Sequence, residues 1–422
     1  MDASYTTPVD TSRLQMRALV VGIVAILLCL VGAFALESYN GTGLQQFFHS
    51  YLMAYVFWTG VSVGSLSILM LHHLSGGGWG LVIRRILEAS TRVIPLMLVL
   101  FIPIILGMKT LYEWAHPLSE IPEAHRELIA HKAPYLNVPF FLGRTIFYFL
   151  VWGVLALLLN RWSLEQDRTA DPNLRKRMQG ISGPGILLFG LTVTFAAVDW
   201  IMSLEPEWFS TIFGLLIMVG WGLSAFAFVI ITASVLSNRK PLAGVIAPLH
   251  FHDLGKLLLA FVMIWAYFGF SQFMLIWYGN LPEEIPWYLR RLRGGWQYVG
   301  LVLVIFHFAV PFFLLLSRNL KRHARTLSII AGLLIVTRLV DLFWMIAPVS
   351  EVHPGGVLGV ILNYWMYALA PVGLGGLWLA YFAYQLRQRT LLPFNDSGME
   401  NLLEQGRHHE PKLQGIDQPE QI

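Results

Sequence analysis

Apolar residues run through this chain in ten blocks, at about 17–36, 47–71, 91–112, 138–160, 181–203, 208–236, 253–278, 296–316, 326–347 and 357–386. Each block reaches the roughly 20 residues a helix needs to cross the hydrocarbon core of a bilayer. The pattern predicts an all-α integral membrane protein with ten transmembrane helices. Polar segments frame the blocks: an N-terminal tail over 1–16, the membrane domain over 17–386, and a C-terminal tail over 387–422. The stretch SEIPEAHRELIAH (119–131) reads as an outer amphipathic turn or short helix, with Ser119 and Glu123 capping-like near its start. ILEAS, after Arg84 and Arg85, reads as a segment on the inner membrane surface. The tail from about 391 reads as extended along a partner or disordered.

Composition agrees with this reading. Of 422 residues, 56% are hydrophobic and only 13% charged, against roughly 25% charged in a soluble domain. The net charge of +4 does not point to nucleic acid, because Lys and Arg gather in loops on one side. Arg13, Arg17, Arg84, Arg85, the run around Arg175–Lys176–Arg177, Arg239, Lys240, Lys321, Arg322 and the C-tail arginines all fall on that side. The positive-inside rule then makes both termini cytoplasmic. One loop breaks the pattern, with Arg290, Arg291 and Arg293 on the outside. It reads either as a solvated or lipid-phosphate-binding loop or as the docking edge for an extracytoplasmic partner. Residues 1–16 are polar and the first apolar run is too long for an h-region, so no cleavable signal peptide is expected.

Charges inside apolar blocks are costly and mark functional candidates. The outer half holds His49, Lys109, Arg144, Asp199, Glu205 and Asn363. Asp199 sits between AAV and WIM, so it must be paired, hydrogen-bonded or protonated. Its partner is Lys109 or Arg144 if it is structural; otherwise it exchanges protons or binds a quinone. In the ninth block Arg338 and Asp341 are spaced i, i+3 and share a helix face. They pack helices or relay protons. His307, near the centre of the eighth block, suits a proton relay or a plain buried hydrogen bond. On the inner side, His250, His252, Asp253 and Lys256 cluster where His72 and His73 also end a span. That set suggests a capping carboxylate, a site of proton uptake or release, or, more weakly, a metal site.

Absences narrow the chemistry. Cys29 is the one cysteine, so there is no intrachain disulfide, no four-cysteine iron–sulfur site and no C-x-x-C-H haem attachment. Facing histidine pairs for haem b are missing, and so is a P-loop. No cofactor and no metal are expected on this chain's own ligands.

Long motifs carry a resemblance. FFHSYLMAYVFWTGVSVGSLSILMLHHLSGGGWG (47–80), IRRILEAS (83–90), LTVTFAAVDWIMSLEPEWFSTIFG (191–214), LHFHDLGKLLLAFVMIWAYFGFSQF (249–273) and NLPEEIPWYLRRLRGGW (280–296) resemble the F-type membrane subunit (ActF) of bacterial alternative complex III. That subunit belongs to the NrfD-like, or polysulfide-reductase membrane-anchor, superfamily. The resemblance implies two four-helix bundles, spans 2–5 and 6–9, with spans 1 and 10 peripheral. It implies a subunit of a quinol:cytochrome c type oxidoreductase in the bacterial inner membrane, active only within the complex. Implied partners are a C-type NrfD-like sister, an iron–sulfur subunit, multihaem and monohaem cytochrome c subunits, small membrane subunits and lipid. Haem and iron–sulfur clusters would lie in those partners, with menaquinol or ubiquinol as the lipid-soluble ligand. By position, His49, Asp199 and Glu205 correspond to the quinone pocket, unless Phe47, Phe48, Trp58 and Trp200 fill it. His307, Arg338, Asp341, Asp253, Lys256, His72 and His73 would form a proton path. The alternative is a stand-alone proton-coupled secondary transporter. Pro311 and Pro371 interrupt two spans, but no matching inverted pair accompanies them.

Overall fold

The computed structural model describes residues 9–238, 242–243, 245–350, 356–393, 395–396 and 398–399. Its helices are α1 (Ser12–Asn40), α2 (Gly43–Ser75), α3 (Gly78–Thr91), α4 (Ile94–Val99), α5 (Ile102–Leu106), α6 (Met108–Leu111), α7 (Glu123–Lys132), α8 (Val138–Thr169) and α9 (Pro172–Trp200). They continue with α10 (Phe213–Leu236), α11 (Pro248–Gly279), α12 (Ile285–Arg291), α13 (Trp296–Val302), α14 (Val310–Leu316), α15 (Arg318–Arg322), α16 (Ala324–Ile346) and α17 (Gly356–Leu386). No strand occurs among the described residues. Ten helical segments there are long and apolar enough to cross a membrane, so the chain is a multi-pass membrane protein. Below, the near end is where α1 begins and α17 ends; the far end is opposite.

The third span differs from its expected bounds. It begins at Gly78, not near 91, and runs to Leu106 through α3, α4 and α5. Pro95 and Pro103 lie in the first turns of α4 and α5. Each lacks the N–H a continuous helix would use, and the axis breaks there. ILEAS is therefore part of the third span and is packed inside the protein rather than lying as an exposed surface segment. All of α3 from Gly80 to Thr91 is buried. The far-end amphipathic stretch is a single 3-10 turn at Leu118–Glu120 followed by α7 from Glu123.

Two groups of four spans lie side by side, as expected. The α2, α3–α5, α8 and α9 spans form one; α10, α11, α13–α14 and α16 form the other. They meet where α2 crosses α10. Gly60 and Gly64 let the Trp221 ring and backbone come so close that a Cβ at either glycine would collide. Lipid gives helices no hydrophobic reason to associate, so close packing of small residues carries such contacts. The same device joins α1 to α17. α1 buries only a stripe of Ala18, Gly22, Ala25, Cys29 and Ala33, and a Cβ on Gly22 would lie 2.8 Å from the Leu377 nitrogen. α1 is peripheral, whereas α17 is wedged against α2. Trp378 and Phe382 are buried there, and Trp378 Nε1 donates to Ser62 Oγ at 2.8 Å. Gly376→Leu is expected to lower stability by about 1–3 kcal/mol through overpacking, whereas Gly143→Leu, facing open space, leaves it unchanged. Thermal denaturation in mild detergent checks this.

Two local features position chemistry. Between α13 and α14, Leu303–Ala309 widens into a π-helical turn. Pro311 lacks the N–H that would bond the His307 carbonyl, which favours such a turn. At the near end the start of the C-terminal tail folds back rather than extending away. Leu391, Leu392 and Met399 are buried, and Asn395 Nδ2 donates to the Asp167 carbonyl at 2.7 Å. Residues 400–422 lie outside the described residues.

Candidate functional site

The outer polar residues are split among three environments. Asp199, in the last turn of α9, is fully buried. Arg144 grips it in bidentate fashion, Nε to Oδ2 at 2.9 Å and Nη2 to Oδ1 at 2.8 Å, and the Tyr148 hydroxyl donates to Oδ2 at 2.7 Å. Its partner is thus Arg144 and not Lys109. Arg144 is itself held over the Tyr135 ring at 3.9 Å. Glu205 accepts from Arg290 Nη1 and Arg291 Nη2, each at 2.7 Å. His49 points instead into a far-end cavity of about 380 Å³ lined by Lys109, Glu113, His116 and Glu120. Its Nδ1 lies 2.9 Å from the Gln45 carbonyl, and its Nε2 is buried without a partner. Asp199 and Glu205 do not line that cavity. Around Trp200 the interior is filled by Tyr55, Phe101, Phe149, Trp152 and Trp221.

The arginine loop divides too. Arg291 is fully buried rather than solvated. It stacks 3.7 Å from the Trp287 ring centroid and donates to the carbonyls of Trp287, Trp344 and Met345. Such a guanidinium ties the far-end loop to the end of α16. Arg293 is exposed.

In the second helix group Arg338, Asp341 and His307 come together. Arg338 Nη1 donates to Asp341 Oδ2, and Trp265 Nε1 on α11 donates to the same oxygen at 3.1 Å. Both partners use Oδ2. Arg338 fits because Gly220 on α10 has no side chain; a Cβ there would strike its guanidinium. His307, on the π turn, lies with its ring centroid 4.2 Å from that of Trp265, and its Nδ1 is 2.6 Å from Thr337 Oγ1. The Thr337 hydroxyl hydrogen goes to the Leu333 carbonyl at 2.9 Å. With the hydroxyl turned that way, Thr337 Oγ1 accepts from His307 Nδ1 and the other ring nitrogen, Nε2, is an acceptor. That nitrogen, and Nε and Nη2 of Arg338, are buried without partners. Orphaned buried polar atoms mark places where water or a ligand is at home.

Asp341 also floors a cleft of about 760 Å³ between α11, α12, α13 and α16. Its walls are largely apolar, and Trp265, Gln272, Tyr288, Arg291 and Trp344 add polar atoms. Burial pushes the Tyr288 phenol up to about 12, so it stays protonated. Gln272 Nε2 donates to its oxygen at 3.3 Å.

The near end holds what sequence reasoning missed. Glu88 is fully buried on α3. It accepts from Arg84 Nε at 3.1 Å, Arg85 Nη1 at 2.6 Å and Arg389 Nη1 at 3.4 Å, and from the Ser163 hydroxyl. Asp396 takes Arg84 at 2.8 Å, and Asp167 takes Arg85. The signal was present as Arg–Glu spacing of i, i+3 and i, i+4 in RRILE, but loop-like arginines hid it. The predicted inner set is looser. Asp253 and Lys256 pair at 2.7 Å in partly exposed positions. His250 Nδ1 accepts from the Ala247 N–H at 2.9 Å, which caps α11. His72 and His73 lie together beside Trp79. No hydrogen bond or ion pair among the described residues joins them to Asp253 or Lys256. Asp253 stands twelve positions before Trp265, about 18 Å along the helix. Among the described residues no three His, Cys, Asp or Glu side chains converge to hold a metal.

Compared with known proteins, the chain matches no family model and no curated sequence.

Proposed function

We propose that this chain is an integral membrane subunit of a quinol:electron-acceptor oxidoreductase of the alternative complex III type. In it the chain carries protons, not electrons. The observation that supports this reading most is the mid-membrane set of Asp341, Arg338, His307, Trp265 and Thr337. A charged pair is held there inside the protein, next to a histidine with an unpartnered ring nitrogen and a guanidinium with unpartnered donors. Intramembrane ionisable groups in such settings mark ion and proton pathways. Oxidising a quinol releases two protons with two electrons, so a proton-accepting membrane chain complements redox centres held by partner subunits. Asp253, Lys256, His72 and His73 would exchange protons at the near end, the cytoplasmic end in this reading. Water must bridge the ~18 Å between Asp253 and the mid-membrane set. The buried commitments of Asp199 and Glu205 favour structural roles for both, and His49 belongs to a separate far-end cavity.

The test is purification of the full-length tagged chain from its own membranes in mild detergent. Haem absorbance and quinol oxidation should migrate with it as one particle. A homogeneous chain free of haem and of quinol-oxidising activity, obtained reproducibly from fully solubilised membranes, would refute the assembly.

A further inference from the structure

We infer that the cleft floored by Asp341 binds the ring of a prenylated hydroquinone, entering sideways from the lipid. The inference rests on the quinol-oxidising reading for the identity of the ring; the geometry itself asks for a flat amphiphile. Three observations carry it. The first is size: about 760 Å³ lies within the roughly 300–1,000 Å³ of small-molecule sites. The second is the opening. Phe270 on α11 and Val304 on the π turn line the cleft and are 62% and 58% exposed, so the cleft opens on the lateral, apolar surface. The third is the polar floor. Trp344 Nε1 is a buried donor with no partner. Asp341, one helical turn earlier on α16, is a carboxylate whose two partners both bond Oδ2. Positions i and i+3 share a helix face. One acceptor and one donor so placed match a ring with a hydroxyl that donates to Asp341 Oδ1 and a second oxygen that accepts from Trp344. Phe273 and Phe308 supply aromatic walls.

This places a ligand in the second four-helix group, away from the far-end cavity that holds His49. The ring hydroxyl would also lie next to the group proposed above to carry protons.

The test is photolabelling of the complete membrane assembly with an aryl-azide prenylquinone, reduced before illumination, followed by peptide mapping. Label is expected on residues 263–273 and 297–304. Gly300 offers a control of shape: a Cβ there meets only Trp344, at 3.7 Å from Nε1. Gly300→Leu, whose Cβ finds ordinary contact there, carries its side chain into the cleft and should weaken labelling at least about tenfold, or ~1.4 kcal/mol. Trp344→Phe keeps the shape, removes the donor and should weaken it less. Gly143→Leu, facing open space on α8, should label like wild type. Label confined to the His49 cavity, or unchanged labelling in Gly300→Leu, overturns the inference. Quinol turnover by the same preparation reads the assembly separately. Label in the cleft without turnover supports the site and removes the respiratory role. Turnover without label in the cleft does the reverse.

Discussion

Replacing Glu88 with alanine is expected to leave little folded chain in the membrane. The carboxylate is fully buried and holds Arg84, Arg85 and Arg389 at once. Removing one partner of a buried ion pair costs about 3–5 kcal/mol, because the other charge is left uncompensated in low dielectric. Here three guanidiniums lose an acceptor. Arg84 keeps Asp396 and Arg85 keeps Asp167, but among the described residues Arg389 keeps only hydrogen bonds to Asn160, at 3.2 Å. Native proteins are stable by only about 5–15 kcal/mol, so the loss is a large share of the total. The recovered fraction of monodisperse protein and its melting temperature should both fall steeply. Asp253→Ala is the contrast. That carboxylate is partly exposed to one lysine, and such pairs contribute about 0–1 kcal/mol. Equal behaviour of the two variants would show that the Glu88 network is not what holds α3, α8 and the tail together.

The sequence revealed the membrane class and the span count because both rest on run length, which lipid enforces. It revealed Arg338–Asp341 because i, i+3 pairing is local. It could not reveal Trp265 or Gly220, which reach the pair from other helices, or Thr337, which holds His307 from the pair's own helix; all three look like ordinary apolar or small positions. IRRILEAS misled for a related reason. Arginines next to a glutamate resemble an interfacial loop until a distant serine, an aspartate and the C-terminal tail are brought around them. Asp199 stood out as an intramembrane acid and Glu205 as an acid just past the end of the same block. Their arginines, Arg144 and the Arg290–Arg291 step, lie 55 and 85–86 residues away in the chain. Local pattern locates a buried charge, but tertiary packing decides whether it is tied up or left with open valences.

The second large effect concerns Asp341. Asp341→Ala should destabilise the chain by about 3–5 kcal/mol, since Arg338 is fully buried and has no other acidic partner among the described residues. Arg338→Met with Asp341→Leu removes both charges at similar volume. Such replacements are commonly neutral or stabilising by about 1–4 kcal/mol. The double variant should therefore fold and assemble like wild type while lacking the carboxylate. That separates structure from chemistry, because a pair that only packs helices can be replaced by well-fitting apolar side chains without functional loss.

The deciding measurement is the number of protons translocated per electron by the complete assembly in proteoliposomes, with quinol as donor and a pH dye reporting the proton flux. A proton path through Asp341 predicts that Arg338→Met/Asp341→Leu moves markedly fewer protons per electron than wild type, whatever rate of quinol oxidation it keeps. A wild-type ratio in that double variant would contradict it and leave the pair a helix-packing device.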